Sequence, residues 1–232
     1  MKKRGKRYQA VEKLIDKEKT YDLPQTVELL KKAAGAKFDE TVNMVFHLGV
    51  DPEQADQQVR GVINLPHGTG KTVRVAAFAK GDNVDKAKQA GADFVGDKDL
   101  MDKISKGWLD FDVAVATPDM MKEISKLGKV LGPRGLMPNP KSGTVALDIA
   151  GAIAEIKAGK VEYRLDKGAN LHIVVGKVSF SKEQLSDNIL AVVKEIIQAK
   201  PASCKRQYVR NLVISSTMGP AIRLSIQGMV KR

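Results

Sequence analysis

Across residues 68–159 short strand-like and helix-like stretches alternate, and this alternation constrains the fold more than any other feature of the chain. Residues 72–79 read as a strand, 83–90 as a short helix, 94–96 as a brief strand, 100–106 as a helix and 111–116 as an almost continuous apolar strand. Helical spacing returns over 120–127 and 149–157. Strands and helices joined by short links in this order predict a parallel, Rossmann-like α/β layer, because parallel strands need crossovers and the crossover helices cover the sheet.

The two flanks follow a different pattern. Residues 6–18 carry helical apolar spacing in Val11, Leu14 and Ile15, and residues 23–34 repeat it with Val27, Leu29, Leu30 and Ala33 before Gly35. Over 41–48 the period switches to two: Val42, Met44, Phe46 and Leu48 face one way, and Thr41, Asn43 and His47 the other. A second strand is expected over 59–65. Beyond Gly159, strands are expected over 161–165 and 170–175 around a turn at 166–169. A helix over 180–198 then opens on Ser181, with Gln184 three residues on as its capping-box partner. Residues 209–214 and 221–226 supply more strand. These flanking elements form one layer only if the chain ends meet. The expected fold is therefore a discontinuous α+β outer domain built from residues 1–67 and 160–232, with an inserted α/β Rossmann-like three-layer domain over 68–159. A linear three-part chain is the alternative.

Charge separates the same segments. The chain has a formal net charge of +12, beyond what solubility requires, which favours nucleic acid over an anionic membrane or an acidic protein. Residues 71–158 hold 14 Lys and Arg against 12 Asp and Glu, so nearly all of the excess lies in the flanks. Aromatic residues make up only 5% of the chain, which argues against a broad base-stacking platform and for structured RNA read through its backbone and shape. A single cysteine, Cys204, excludes an intrachain disulfide framework and makes a reducing, intracellular setting the default expectation. The basic N-terminus leads into charged helical text instead of an apolar signal region, and no apolar run is long enough to span a membrane.

Residues 127–144, LGKVLGPRGLMPNPKSGT, contain four glycines and three prolines and read as a long folded loop, neither helix nor strand. Lys129, Arg134 and Lys141 lie in it without an intervening acid, so its candidate partner is a polyanion. Other motifs fail on inspection. The run 68–72, GTGKT, resembles the end of a phosphate-binding loop, but Leu65 stands where the motif needs glycine, and a strand follows where it needs a helix. His47, His67 and His172 show no ligand spacing, Cys204 beside Lys205 and Arg206 lacks a nucleophile motif, and Asp110 with Asp112 reads as a strand-entrance pair.

Two patches remain. The run 215–220, SSTMGP, sets three hydroxyls, a flexible thioether and a tight turn between two apolar strands, a chemistry suited to phosphate, ribose 2′-OH and a base or sugar face. Lys37, Phe38 and Thr41 place a charge, a ring and a hydroxyl at the entrance to the first flanking strand.

Taken together, LGKVLGPRGLMPNPKSGT, the segment KFDETVNMVFHLGVD at 37–51 and STMGP at 216–220 closely resemble the bacterial form of the large-subunit ribosomal protein one family, over essentially the whole chain and in order. The resemblance implies the discontinuous two-domain fold and an RNA-binding structural protein of the mobile ribosomal stalk, not an enzyme. It implies no cofactor and no metal, a monomer when free, and a cytoplasmic location in the large ribosomal subunit. Its implied partners are large-subunit ribosomal RNA, exit-site transfer RNA and the leader of its own messenger RNA, by which excess protein represses translation. By resemblance Glu28, Lys37, Phe38 and Thr41 line one part of the contact and Thr217, Met218 and Gly219 its most specific part, with Ser215 and Lys167 as further contacts. Lys129, Arg134 and Lys141 are candidate secondary RNA contacts. A cofactor-binding enzyme built on the inserted layer, or a general basic RNA chaperone, are the rival classes.

Overall fold

The computed structural model describes residues 5–16, 18–205 and 207–226, with Lys98 described by its backbone alone. The elements run α1 (Lys6–Glu12), α2 (Leu23–Ala33), β1 (Thr41–Leu48), β2 (Arg60–Asn64), β3 (Val75–Phe78), α3 (Asp82–Gln89), β4 (Phe94–Gly96) and α4 (Lys98–Ser105). They continue with β5 (Val113–Ala116), α5 (Met121–Ile124), α6 (Gly128–Leu131), α7 (Ile149–Ala158), β6 (Lys160–Arg164), β7 (Asn170–Lys177), α8 (Lys182–Gln198), β8 (Val209–Ser216) and β9 (Ile222–Arg223). The chain divides into two compact units, a terminal unit of Met1–Gly70 with Val161–Arg232 and an inserted unit of Lys71–Lys160.

The terminal unit is built on an antiparallel sheet of order β7-β1-β8-β9. β1 pairs with β7 from Thr41 opposite Lys177 to His47 opposite Asn170, and with β8 from Val42 opposite Ser216 to Leu48 opposite Val209. Its period of two decides the layer: Val42, Met44, Phe46 and Leu48 are completely buried, while Thr41, Asn43, Val45 and His47 stay half-buried on the other face. The covered face meets Val27 and Leu30 of α2 and Leu185, Ile189, Val192 and Ile196 of α8 in one core. In α8 those apolar positions recur at helical spacing, and Ser181 and Gln184 close a reciprocal capping box at its start. β2 and β6 form a separate two-stranded sheet.

Where the chain leaves this unit, the fully buried Asn188 of α8 holds it. Its Oδ1 accepts from His67 N at 3.1 Å, and its Nδ2 donates to Gly68 O at 3.0 Å and Val175 O at 2.8 Å. Gly70 follows with φ +71, and a Cβ there would lie 2.7 Å from the Phe180 ring. The GTGKT run is thus a turn pinned to the terminal unit, and β3 comes after it.

The inserted unit has a parallel sheet of order β4-β3-β5. Alternation along β3 splits its core in two: Val75 and Ala77 pack with Ile149, Ile153 and Ile156 of α7, while Ala76 and Phe78 pack with Leu100, Ile104, Met120, Ile124 and Leu131. Helices therefore cover both faces, which gives three layers within this unit. Asp110 and Asp112 bind Arg74 between them, and Asp112 also takes Lys71 Nζ at 2.7 Å and Arg74 N at 3.1 Å. The Lys71 contact, followed by the Arg74 amide, holds the Asp112 carboxyl below its ordinary range despite partial burial. The pair anchors the strand entrance.

Three segments depart from the sequence expectation. The first helix ends at Glu12 instead of running to 18, because Leu14 N and Ile15 N bond three residues back to Val11 O and Glu12 O, and the tightened turn sends Ile15 into the core while Leu14 stays exposed. The long loop starts as helix: Leu127 and Leu131 bury against the inserted core and draw 128–131 into a helical turn, and a 3₁₀ turn occupies Pro140–Ser142 under the Asn139 side chain. The last strand holds only two residues against β8. Pro220 lacks a donor; Leu224 N still bonds to Leu212 O of β8, while the other edge takes Tyr21, with Tyr21 N bonded to Arg223 O and Ser225 N to Tyr21 O.

Candidate nucleic-acid interface

Glu40 precedes β1 in phase with its buried positions, so the alternation that buries Val42 and Met44 also buries a carboxylate at 2% exposure. Ser216 ends β8 in phase with buried Leu212 and Ile214. Two polar groups forced onto the core side have to satisfy each other. Ser216 Oγ donates to Glu40 Oε2 at 2.7 Å, Met218 N donates to the same oxygen at 2.9 Å, and Ala36 N donates to Oε1 at 3.0 Å. Burial pushes the Glu40 carboxyl up, but the Met218, Ser216 and Ala36 hydrogen bonds and the Arg7 charge outweigh it and leave the group below its ordinary value.

Next to this carboxylate the Thr217 hydroxyl accepts from Thr41 N at 3.0 Å and donates to Thr41 O at 3.2 Å, closing the turn onto the start of β1. Gly219 completes it, since a Cβ there would sit 2.5 Å from Ser216 Oγ. The hydroxyls and the Met218 amide are thus spent on shaping the turn. What stays outward is the Met218 side chain, 52% exposed, and, on the segment that leads into Glu40, the Phe38 ring, 55% exposed.

Lysines lie on the adjoining segments. Lys37 is exposed, and Lys177 Nζ donates to Thr41 Oγ1 at 2.7 Å. Asp39 receives Ser179 N and Ser179 Oγ at 3.1 and 2.8 Å, Lys31 Nζ donates to Phe180 O, and Glu28 pairs with Lys182 at 2.5 Å. The Lys182 hydrogen bond and charge hold the Glu28 carboxyl below its ordinary range. Of the residues expected from sequence, Glu28, Lys37, Phe38, Thr41, Thr217, Met218 and Gly219 therefore belong to one end of the sheet. Ser215 lies opposite Asn43, two positions before Thr217, half-buried on the face away from the core.

Lys167 is not brought to them. It sits exposed in the 166–169 turn, beside the His47 end of β1, six residues along the strand from Thr41 or roughly 20 Å at strand rise. Asp166 shapes that turn by accepting from Asn170 N at 2.6 Å and Gly168 N at 2.8 Å. Lys167 shares the rim of a concavity of about 400 Å³ with Arg60, Arg164 and Asp166. Lys129, Arg134 and Lys141 belong to the inserted unit and are exposed.

Sequence reading missed Glu40, the inward place of Ser216, Lys177 and Arg164. Phase was the available signal for the first two: a glutamate at 40 continues the core series 42, 44, 46, 48, and a serine at 216 continues 212, 214. Nothing in the spacing points to Lys177 or Arg164, whose places depend on strand register.

Among the described residues no three His, Cys, Asp or Glu side chains gather to hold a metal, and no helix is long and apolar enough to cross a membrane. Each histidine instead has a local partner: His47 with Asn170, His67 with Asp187 and His172 with Asp166. An internally locked turn with exposed Met218, next to exposed Lys37 and Phe38 on a chain of net charge +12, suits a polyanion-binding module. The chain belongs to the ribosomal protein L1p/L10e family, whose model matches residues 30–220. It is accordingly a ribosomal protein that binds ribosomal RNA of the large subunit, in a structural and not an enzymatic family.

Proposed function

We propose that the terminal unit grips folded large-subunit ribosomal RNA at the base of the mobile stalk, with the end of the sheet around Glu40 as its specific contact. The observation that carries this reading is the lock joining Ala36, Glu40, Ser216, Met218, Thr41 and Thr217, which closes the backbone around Phe38 and Met218 before any RNA arrives. Preorganisation of this kind favours one preformed RNA shape, because less ordering remains to be done on binding. Glu28, Lys37, Thr41, Ser215 and Gly219 complete the contact. The inserted unit, through Lys129, Arg134 and Lys141, makes secondary contacts toward stalk RNA and the departing exit-site transfer RNA, and helps that transfer RNA to move and leave. Free protein in excess is a monomer in the cytoplasm that uses the same surface on the leader of its own messenger and represses translation.

Thr217→Val tests the lock. It keeps the shape of the side chain and removes the acceptor for Thr41 N, so affinity for a stalk RNA fragment at fixed salt should fall about fivefold to tenfold with the fold retained. Electrophoretic mobility shifts read this directly, and unchanged affinity across a salt titration contradicts the assignment. Lys167 acts differently because it stands apart from the lock. Lys167→Ala should lower the slope of log affinity against log salt by about one if the side chain neutralises a phosphate, and an unchanged slope removes it from the interface.

A further inference from the structure

The inserted unit carries a feature that the ribosomal RNA reading does not use. Phe94, Leu100, Lys103, Lys106 and Trp108 line a solvent-open corner of about 410 Å³. Its two aromatic walls stand at 82° with ring centroids 4.7 Å apart, and its base is the buried Leu100. A flat ring entering such a corner stacks on one wall and meets the other edge-on, the two arrangements that aromatic quadrupoles favour.

The corner is rigid because one helix terminus places most of it. α4 ends in a Schellman cap in which Gly107, at φ +97, donates to Ile104 O at 2.9 Å and Trp108 N donates to Lys103 O at 3.1 Å. Trp108 is held from behind by the buried Phe111, at a centroid distance of 5.6 Å. The cap therefore fixes the backbone from which the indole and both lysines project. Since Gly107 and Trp108 already satisfy the cap carbonyls, the lysines are not needed as hydrogen-bond donors to the helix end.

Charge selects the occupant. Lys103 and Lys106 are exposed and, among the described residues, are the only charged side chains lining the corner. An apolar ring slot with two cations and no carboxylate on its rim is complementary to a base that carries phosphate. The corner is open and has no glycine-rich loop to enclose a triphosphate, so it suits a base held in place by its own strand better than a free nucleotide. We propose that the corner formed by Phe94 and Trp108 takes one unstacked purine of a single-stranded RNA segment, with Lys103 and Lys106 on the adjoining phosphates. This site is separate from the sheet end of the terminal unit and does not depend on that assignment.

Trp108 is the sole tryptophan of the chain, so its fluorescence reports on this corner alone. The experiment titrates the full-length protein with oligoadenylate of five nucleotides, with an abasic strand of equal length, and with adenosine monophosphate, exciting at the red edge of the indole band. Oligoadenylate should quench saturably, the abasic strand should not, and adenosine monophosphate should bind at least about tenfold more weakly, because it lacks the neighbouring phosphates. Lys103→Gln with Lys106→Gln, both at exposed positions outside the core, should weaken the oligoadenylate transition by about tenfold while leaving the unbound emission spectrum unchanged. Absent or non-saturable quenching, quenching by the abasic strand, equal affinity for the monophosphate, or indifference to the double substitution would each overturn the proposal. Binding of stalk RNA by the same variant, measured in parallel, separates this outcome from the fate of the terminal-unit reading.

Discussion

Glu40→Gln is expected to destabilise the terminal unit by about 2–3 kcal/mol and to weaken stalk RNA binding by more than tenfold. The carboxylate accepts three hydrogen bonds, from Ala36 N, Ser216 Oγ and Met218 N. Glutamine retains one carbonyl oxygen and turns an amide NH₂ toward the remaining donors. Ser216 can rotate to accept, but a backbone N–H cannot, so either Ala36 N or Met218 N loses its partner beside the buried carboxylate position. If Met218 N is the one released, the 216–219 turn that carries the exposed Met218 side chain loosens. Thermal unfolding and a mobility shift on the same preparations check both parts of the expectation.

The same residue sets a pH dependence. Its folded value lies below the ordinary 4.5, so the stability it contributes is present above that pH and is lost as pH falls through the folded value. The wild-type protein should therefore lose stability relative to Glu40→Gln on acidification below about pH 4.5, and the gap between the two should narrow. Parallel acid profiles throughout that range would show that Glu40 is not the titrating anchor.

The second large effect is expected at Asn188. Asn188→Leu is close in volume and leaves His67 N, Gly68 O and Val175 O without their partner. Water can reach the 67–68 turn, but Val175 O lies inside, and the loss should come to about 2–3 kcal/mol. That corresponds to a drop of about 5–10 °C in the midpoint of the terminal unit's thermal transition. Asn188→Asp makes a sharper comparison, because it keeps the acceptor for His67 N and removes both donated bonds. A midpoint within a degree of wild type for both variants would mean that Asn188 does not hold the chain exit.

Much of this was legible in periodicity. β1 could be bounded from the alternation of Val42, Met44, Phe46 and Leu48, since a strand with one buried face writes its period into the sequence. The capping box of α8 was legible for a related reason, because Ser181 and Gln184 satisfy each other locally and need no tertiary information. Legibility ended where long-range pairing decided the outcome. Residues 221–226 look like one strand, yet the regular strand is only Ile222–Arg223, with β8 along one edge and Tyr21 along the other, and no local pattern encodes that second partner. In residues 127–144 the glycines and prolines masked the burial of Leu127 and Leu131, which turns the start of the segment helical.

The site divides in the same way. Phe38, Thr217, Met218 and Gly219 were recognisable because their chemistry is local to two short runs. Their mutual position was not, since it depends on Thr41 and Thr217 meeting across 176 residues of chain. Lys167 shows the converse: it suits RNA as a residue type, yet strand register carries it to the far end of the sheet. Glu40 taught the most, because an acid in a basic interface looks misplaced until its phase along β1 shows that it faces inward.

A competition assay tests the central claim most directly. The full-length protein is bound to a labelled ribosomal RNA fragment from the base of the stalk, then challenged at fixed salt with the unlabelled fragment or with a scrambled, structured RNA of equal length. A preorganised sheet end that reads one RNA shape predicts that the cognate fragment competes at least about a hundredfold better, and that Glu40→Gln closes most of this gap. Equal competition by the two RNAs at every salt concentration would contradict it and leave only a general basic surface.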